Sequence, residues 1–270
     1  MDKHLFAPAA ILLTAVALAA CGNDSDKTAE PTTTVPAAAE SATTNPTRAP
    51  ATTATTMAPA SRASSYALLW PFTTEQAART WIKDAAPGGH QPWRLDAEST
   101  ALSFARDFLG YQGISRVSST SIKADDAEIG VGFASDEVVG GVGTAAVVHL
   151  IRIGGTGADA PWEVVGTADP PSFTLTIPAY RSSATSPVTV GGSISGVDES
   201  IRVQVRQPNT SGALGETCCL AAGGTNSPWQ TTVSFSGATD PFLTIAASTG
   251  GHIASVERFA VTGVRNPTAK

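Results

Sequence analysis

Two adjacent cysteines, Cys218 and Cys219, have the most unusual spacing of any reactive side chains in this sequence. Neighbouring Cα atoms lie about 3.8 Å apart across a trans peptide, below the roughly 4.4–6.8 Å usual for a disulfide. Three states are open: a strained vicinal disulfide, an intermolecular bridge, or two thiols with one buried and one exposed. We predict the vicinal disulfide, because Gly215 and the run Ala221-Ala222-Gly223-Gly224 leave room for a β-bulge. No Cys-x-x-Cys spacing is present, so we do not expect a redox-active role.

Histidines are the other candidates for acid–base or metal chemistry. His149 alternates within an apolar strand pattern, whereas His90 and His252 follow glycines in predicted loops. No two histidines have a metal-ligand spacing, and no Gly-x-Ser-x-Gly nucleophile motif is present. Asp125 and Asp126 are interpreted as a turn, since the calcium-loop pattern is missing. The sequence therefore predicts no catalytic residue, no metal and no cofactor.

The third cysteine, Cys21, follows a short apolar segment near the amino end. Lys3 precedes an almost entirely apolar run, residues 5–20, which is short for a helix that must cross roughly 30 Å of hydrocarbon. The run ends in Leu18-Ala19-Ala20-Cys21, which resembles the bacterial lipobox. That resemblance implies cleavage before Cys21, a diacylglycerol on its sulfur, and anchoring at the extracytoplasmic face of the cell membrane. The alternative is an ordinary secretory signal followed by an incidental cysteine.

Composition indicates a spacer after the anchor. Residues 21–65 are rich in Thr, Ala and Pro and nearly free of large apolar side chains, so they cannot offset the entropy of ordering. A flexible coil of this length reaches roughly 35–40 Å, and it serves either as a bare spacer or as an O-glycosylated stalk. The formal charge of −6 argues against a nucleic-acid partner, which requires clustered Lys and Arg.

Residues 66–169 are predicted to form an α+β domain. Thr73 and Gln76 have capping-box spacing before a first helix, and Asp96 is the expected N-cap of a second helix that ends at Gly110. The pattern then changes to the period of two that is typical of strands, as in residues 145–153. Two helices followed by an antiparallel sheet predict helices that cover one sheet face.

Beyond Asp169-Pro170-Pro171, which we take as the domain boundary, the chain is predicted to be wholly β. Seven short strands with turns about every ten residues are typical of an immunoglobulin-like sandwich over residues 170–270. The predicted strands cover residues 173–178, 187–195, 200–206, 215–221, 229–235, 242–247 and 253–264. This half is expected to fold alone.

Several runs in residues 172–264 carry a resemblance to a known family. Ser186-Pro187-Val188-Thr189-Val190-Gly191-Gly192 opens the predicted sandwich, and Val203-Gln204-Val205 follows. Pro228-Trp229 then precedes Thr232-Val233-Ser234-Phe235, and Ser248-Thr249-Gly250-Gly251 precedes a last strand with Phe259 and Val261. In this order they resemble the Gmad2 family, the immunoglobulin-like domain of bacterial spore-germination and other envelope lipoproteins. The resemblance implies an extracytoplasmic binding module without a catalytic centre, and it transfers no functional residue. The pair Cys218-Cys219 departs from the family pattern.

Together these observations predict a non-catalytic envelope lipoprotein whose partner is another envelope protein or a cell-wall polymer. Two other functions are considered. A wall-acting hydrolase in residues 66–169 requires a pocket where His149 meets carboxylates. A carrier of an apolar or lipid ligand requires an unfilled cavity lined by residues such as Phe104, Phe108 and Val148.

Overall fold

Two four-stranded antiparallel sheets organise residues 62–269, which are the residues that the computed structural model describes. The signal segment, Cys21 and nearly all of the predicted linker lie outside this range. The described residues belong to one compact unit, and neither of its α-helices has the length and hydrophobicity needed to span a bilayer.

The two α-helices are short and begin at side-chain caps. Helix α1 (Glu75–Asp84) begins after Thr74, whose hydroxyl accepts from the N–H of Ala77 at 3.1 Å, so the N-cap is one residue later than predicted. Helix α2 (Ala97–Ser103) begins after Asp96, as predicted, since that carboxylate accepts from the N–H of Ser99 at 2.7 Å. A π-helical turn over Phe104–Phe108 continues α2, and Gly110 follows with φ of 83°.

The first sheet is a simple meander in the order β1-β2-β3-β4. Its strands are β1 (Arg116–Lys123), β2 (Asp126–Ala134), β3 (Val142–Arg152) and β4 (Trp162–Ala168). Because side chains alternate across a strand, Val148 and Leu150 face a core shared with α2, whereas Ile151 faces a smaller core shared with α1. The helices therefore contact both faces of this sheet and not one face as predicted.

The second sheet has the order β6-β5-β7-β8, so the chain crosses from β6 over β5 to β7. Its strands are β5 (Val188–Arg206), β6 (Gly215–Val233), β7 (Phe242–Thr249) and β8 (Arg258–Arg265). Strands β5 and β6 form a long hairpin with three register shifts, and residues from both ends of β5, such as Val190 and Val203, share one core.

The predicted fold class is wrong. Strands hold 45% of the described residues, and the two α-helices are short, so the unit is mainly β and not an α+β domain followed by an all-β sandwich. The immunoglobulin-like sandwich is wrong as well, because residues 188–206 and 215–233 each form one continuous strand where two were predicted. Turn-forming residues such as Gly196 and Asp198 lie at bulges inside β5, where they bend the strand without ending it.

A shared core crosses the predicted boundary at 169–171. Ala246 on β7 and Phe259 and Val261 on β8 are buried in the same cluster as Phe104 and Val148 of the first half. Phe259 also packs on the Tyr111 ring, with centroids 5.3 Å apart. The chain passes between the two sheets at residues 169–171, and the shared core argues against the expectation that residues 170–270 fold alone.

Candidate functional site

A pocket lies where the second sheet extends past the first half of the unit. Its floor is β5, on which Arg202, Gln204 and Arg206 occupy alternate positions and therefore share one face. The residues between them, such as Val203, face the opposite side and are buried. The cavity measures about 450 Å³, in the range of small-ligand sites. We call it the arginine pocket.

A chain of hydrogen bonds holds the floor in place. Arg206 donates from Nη1 to the carbonyl of Phe108 at 2.6 Å and from Nε to Gln204 at 2.7 Å. The Gln204 amide donates to Glu216 on β6 at 3.1 Å, and Glu216 also pairs with Arg202. Both arginines are thus oriented by protein groups before any ligand arrives.

The walls come from both halves of the unit. The Leu109–Gln112 loop forms one side, and Ser248 to Gly250 with Ser255 and Val256 form the other. Burial raises the pKa of Tyr111 to about 12, and the Ser248 side chain and Arg206 oppose that increase, so the phenol stays neutral. Its hydroxyl lies beside Ser248 and has no hydrogen-bond partner of normal geometry among the described residues.

The adjacent cysteines lie at the outer edge of this pocket. The structure joins Cys218 and Cys219 in a disulfide with Cα atoms 3.5 Å apart. Ile201 pairs with Leu220 and Arg202 pairs with Cys218, so Cys219 is the extra residue of a bulge, and its φ is 85°. Both cysteines are exposed and line the cavity.

The arrangement favours recognition of an acidic group. Burial lowers the pKa of Arg206, with Tyr111 and Glu216 opposing the change, yet a guanidinium stays charged in proteins. Arg202 uses Nη1 for Glu216, and its Nε and Nη2 have no protein acceptor among residues 62–269. Two guanidiniums against one carboxylate leave a local excess of positive charge, and such planar donors match carboxylate or phosphate oxygens.

A second groove of about 540 Å³ contains His149. Its Nε2 lies 3.2 Å from Oδ2 of Asp126, and Tyr66 packs edge-on to the imidazole at 5.6 Å. Glu128 and Asp169 also line the groove, and burial raises the pKa of Asp169 against the lowering effect of its bond from the N–H of Leu175. We call it the His149 groove.

The His149 groove holds a histidine and the carboxylate that orients it. The hydroxyl of Thr167 in its wall already accepts from the N–H of Val261 at 2.7 Å. The other two histidines within residues 62–269, His90 and His252, are exposed and lie outside it. Among residues 62–269, no three His, Cys, Asp or Glu side chains come together as metal ligands.

One carboxyl group is fully buried away from both cavities. Oε2 of Glu163 on β4 accepts from the N–H of Phe72 at 3.0 Å, and Oε1 has no partner among the described residues. Burial raises the pKa of Glu163 well above its usual value, opposed by the backbone N–H groups of Phe72 and Trp70 and by Arg94. The guanidinium carbon of Arg94 lies 4.5, 5.5 and 5.3 Å from the ring centroids of Phe72, Trp81 and Trp93, respectively. This cluster ties the segment before α1 to β4, and we assign it a structural role.

Replacement of Glu163 by glutamine is expected to change how stability depends on pH. The folded state keeps a proton that the unfolded state releases above about pH 4.5, so the wild-type free energy of unfolding falls as pH rises from there through the folded pKa. The Glu163→Gln variant has no carboxyl to ionise and lacks this loss, so its free energy of unfolding relative to the wild type should rise from pH 4.5 to pH 8. Thermal melts from pH 4.5 to 8 measure the difference, with Glu137→Gln in an exposed turn as the control. Parallel wild-type and Glu163→Gln profiles would contradict the argument.

The sequence-predicted site residues have different outcomes. Cys218 and Cys219 lie at the edge of the arginine pocket, and Cys21 lies outside the described residues. Sequence reasoning missed Arg202 and Arg206, although the run Arg202-Val203-Gln204-Val205-Arg206 places three polar residues on one strand face. Phe104, Phe108 and Val148, proposed for a ligand cavity, are buried in one core cluster, and Phe108 also lines a small pocket beside Arg206.

Comparisons with known proteins identified no relative of this chain. No family model, no curated protein and no solved structure matches the chain. The arginine pocket and the His149 groove are therefore interpreted from their own geometry.

Proposed function

We propose that this chain is a non-catalytic, lipid-anchored protein of the cell envelope that binds an acidic cell-wall polymer through the arginine pocket. The observation that carries the proposal is the fixed pair Arg202 and Arg206, held on one strand face by Gln204, Glu216 and the Phe108 carbonyl. Arginine donors oriented in advance lose little conformational entropy when they bind a carboxylate or phosphate group.

Neutral groups in the pocket suit the rest of such a polymer. Ser200, Ser248 and Ser255 line the cavity, and their hydroxyls can bond to the hydroxyl groups of a sugar or polyol chain. The local positive charge is also distinctive in a chain whose formal charge is −6. A lipid anchor at Cys21 followed by a spacer of residues 22–65 would let the pocket reach wall material beyond the membrane surface.

Arg202→Gln is expected to weaken binding of acidic polymers about tenfold, since it removes one charge-assisted contact. Detergent-solubilised full chain is tested by biolayer interferometry on immobilised polygalacturonate, polyphosphate and neutral dextran. The first two separate carboxylate from phosphate recognition, and dextran should not bind. Added salt should weaken binding, because the attraction between charges is screened.

Arg116→Gln is the matched control, since Arg116 is exposed at the start of β1 and lines neither cavity. Binding to dextran as strong as to the acidic polymers, or equal losses for Arg116→Gln and Arg202→Gln, would contradict the proposal. Failure to bind any polymer, together with cross-linking of an envelope protein at the pocket, would favour the protein partner.

The hydrolase alternative rests on one observation, the His149–Asp126 pair in the His149 groove. A histidine oriented by a carboxylate is able to act as a general base toward water. Release of soluble fragments from purified cell wall separates the alternatives. The proposed function expects no release by the full chain, whereas release that is lost in His149→Asn would establish the hydrolase.

A further inference from the structure

The β-bulge at Cys219 places a residue with a side chain in a backbone conformation that favours glycine. Its φ of 85° lies in the left-handed region, where a Cβ atom is crowded by the following carbonyl. A disulfide to the preceding residue ties Cys219 into this position. The bulge occurs on β6, an edge strand of its sheet, so no second neighbouring strand holds it.

The same bulge sets which side chains of β6 face the arginine pocket. Cys218 pairs with Arg202 and Glu216 pairs with Gln204, so both lie on the pocket face of the sheet. A register change of one residue moves every side chain of a strand to the other face. Loss of the bulge would therefore remove Glu216 from its bonds to Arg202 and Gln204.

The missing Cys-x-x-Cys spacing gave no expectation of a redox role, but the exposure of the disulfide opens it to exchange with an external thiol. Both cysteines are exposed, and Cys219 also lines a neighbouring open cavity beside Glu199 and Ser200. A thiolate of a dithiol reductant can attack one sulfur, which breaks the Cys218–Cys219 bond and forms a mixed disulfide. The second thiol of the reductant then displaces the protein sulfur. Two electrons and two protons pass to the protein, which leaves two cysteine thiols and one oxidised reductant.

We propose that Cys218–Cys219 is a thiol–disulfide exchange site for a dithiol reductant of the envelope, and that its closed form holds the arginine pocket in the ligand-binding geometry. The second half of this proposal rests on the proposed function of the pocket. The first half concerns the sulfur chemistry alone and is tested without a ligand.

Exchange is measured on the folded full chain with dithiothreitol as the reductant. Samples at graded ratios of reduced to oxidised dithiothreitol are quenched with N-ethylmaleimide, and their masses are measured by intact mass spectrometry. The closed monomer should be two mass units lighter than the dithiol and take up no label at these residues. Reduction should add two labels without unfolding, and oxidised dithiothreitol should reverse it. Labelling that occurs only after unfolding, or a covalent dimer, would overturn the exchange site.

Two matched variants test the coupling to the pocket. Cys218→Ser with Cys219→Ser removes the bridge and leaves a side chain at the left-handed position. Cys218→Ser with Cys219→Gly removes the bridge but supplies the residue that tolerates this conformation. Binding to polygalacturonate and polyphosphate is measured for both variants and for oxidised and reduced wild type.

The oxidised wild type and the glycine variant should bind alike, whereas the reduced wild type and the double-serine variant should bind about tenfold more weakly. Equal binding by all four forms would overturn the coupling. Weak binding by both variants would overturn it too, because the sulfurs themselves would then contact the ligand. Absence of polymer binding in every form refutes the proposed function and the coupling together, and the mass measurement still decides the exchange site.

Discussion

Replacement of Cys21 by serine is expected to leave the precursor uncleaved and unlipidated. The hydroxyl of serine cannot form the thioether that attaches the diacylglycerol, and the lipobox resemblance implies that cleavage follows this attachment. Anchoring by lipid requires about two acyl chains, since one holds only marginally, so the variant should lose the lipid contribution to membrane binding and keep only that of its uncleaved apolar run. Detergent-phase partitioning and intact mass report the two properties separately.

The matched control for this experiment removes the other thiols. The Cys218→Ser, Cys219→Ser chain keeps Cys21 and should be processed and partitioned like the wild type. Normal processing and detergent partitioning of the Cys21→Ser chain would refute the anchor. It would then favour the ordinary secretory signal with an incidental cysteine.

The fragment 171–270 is expected to be far less stable than the fragment 57–270. Separation exposes Ala246, Phe259 and Val261, which are buried against the first half of the unit. Exposure of one Phe, one Val and one Ala side chain costs roughly 4–6 kcal/mol, which is comparable with the 5–15 kcal/mol that stabilises a typical domain. The fragment also loses the bond from Arg206 to the Phe108 carbonyl.

Circular dichroism melts of the two fragments measure this difference. Fragment 57–270 should melt cooperatively, and fragment 171–270 should give a broad transition or none. The Phe259→Ala variant of fragment 57–270 should lie between them, with a loss of about 3–5 kcal/mol. A cooperative melt of fragment 171–270 at the same temperature as fragment 57–270 would show that the halves fold independently, as the sequence pattern predicts.

The proposed binding function and the proposed exchange site meet at one strand pair. Arg202 on β5 lies opposite Cys218 on β6, so a change in the β6 register would act directly on one of the two guanidiniums proposed to bind the ligand. The coupling therefore requires no long structural rearrangement, because the bulge and the Arg202–Glu216 ion pair are neighbours in the same ladder.

Local signals in the sequence determined several elements of this protein. Asp96 caps α2 because its short carboxylate satisfies a free N–H at the helix start, which depends only on neighbouring residues. The alternation in residues 145–153 predicted β3, since a half-buried strand requires a period of two. The anchor motif at Cys21 is also local, and it stays a prediction because it lies outside the described residues.

Tertiary structure alone decided the fold class and the candidate site. Turn-forming residues near Gly196 ended a strand in the sequence-based prediction, but pairing with β6 carries β5 through them as bulges. The burial of Glu163 depends on the distant N–H of Phe72, which no local pattern reveals. Likewise, Arg206 meets the Phe108 carbonyl across 98 residues, because the polar face of one sheet extends past the half that covers its apolar part. Such contacts depend on how two sheets pack, and periodicity within one segment carries no information about that packing.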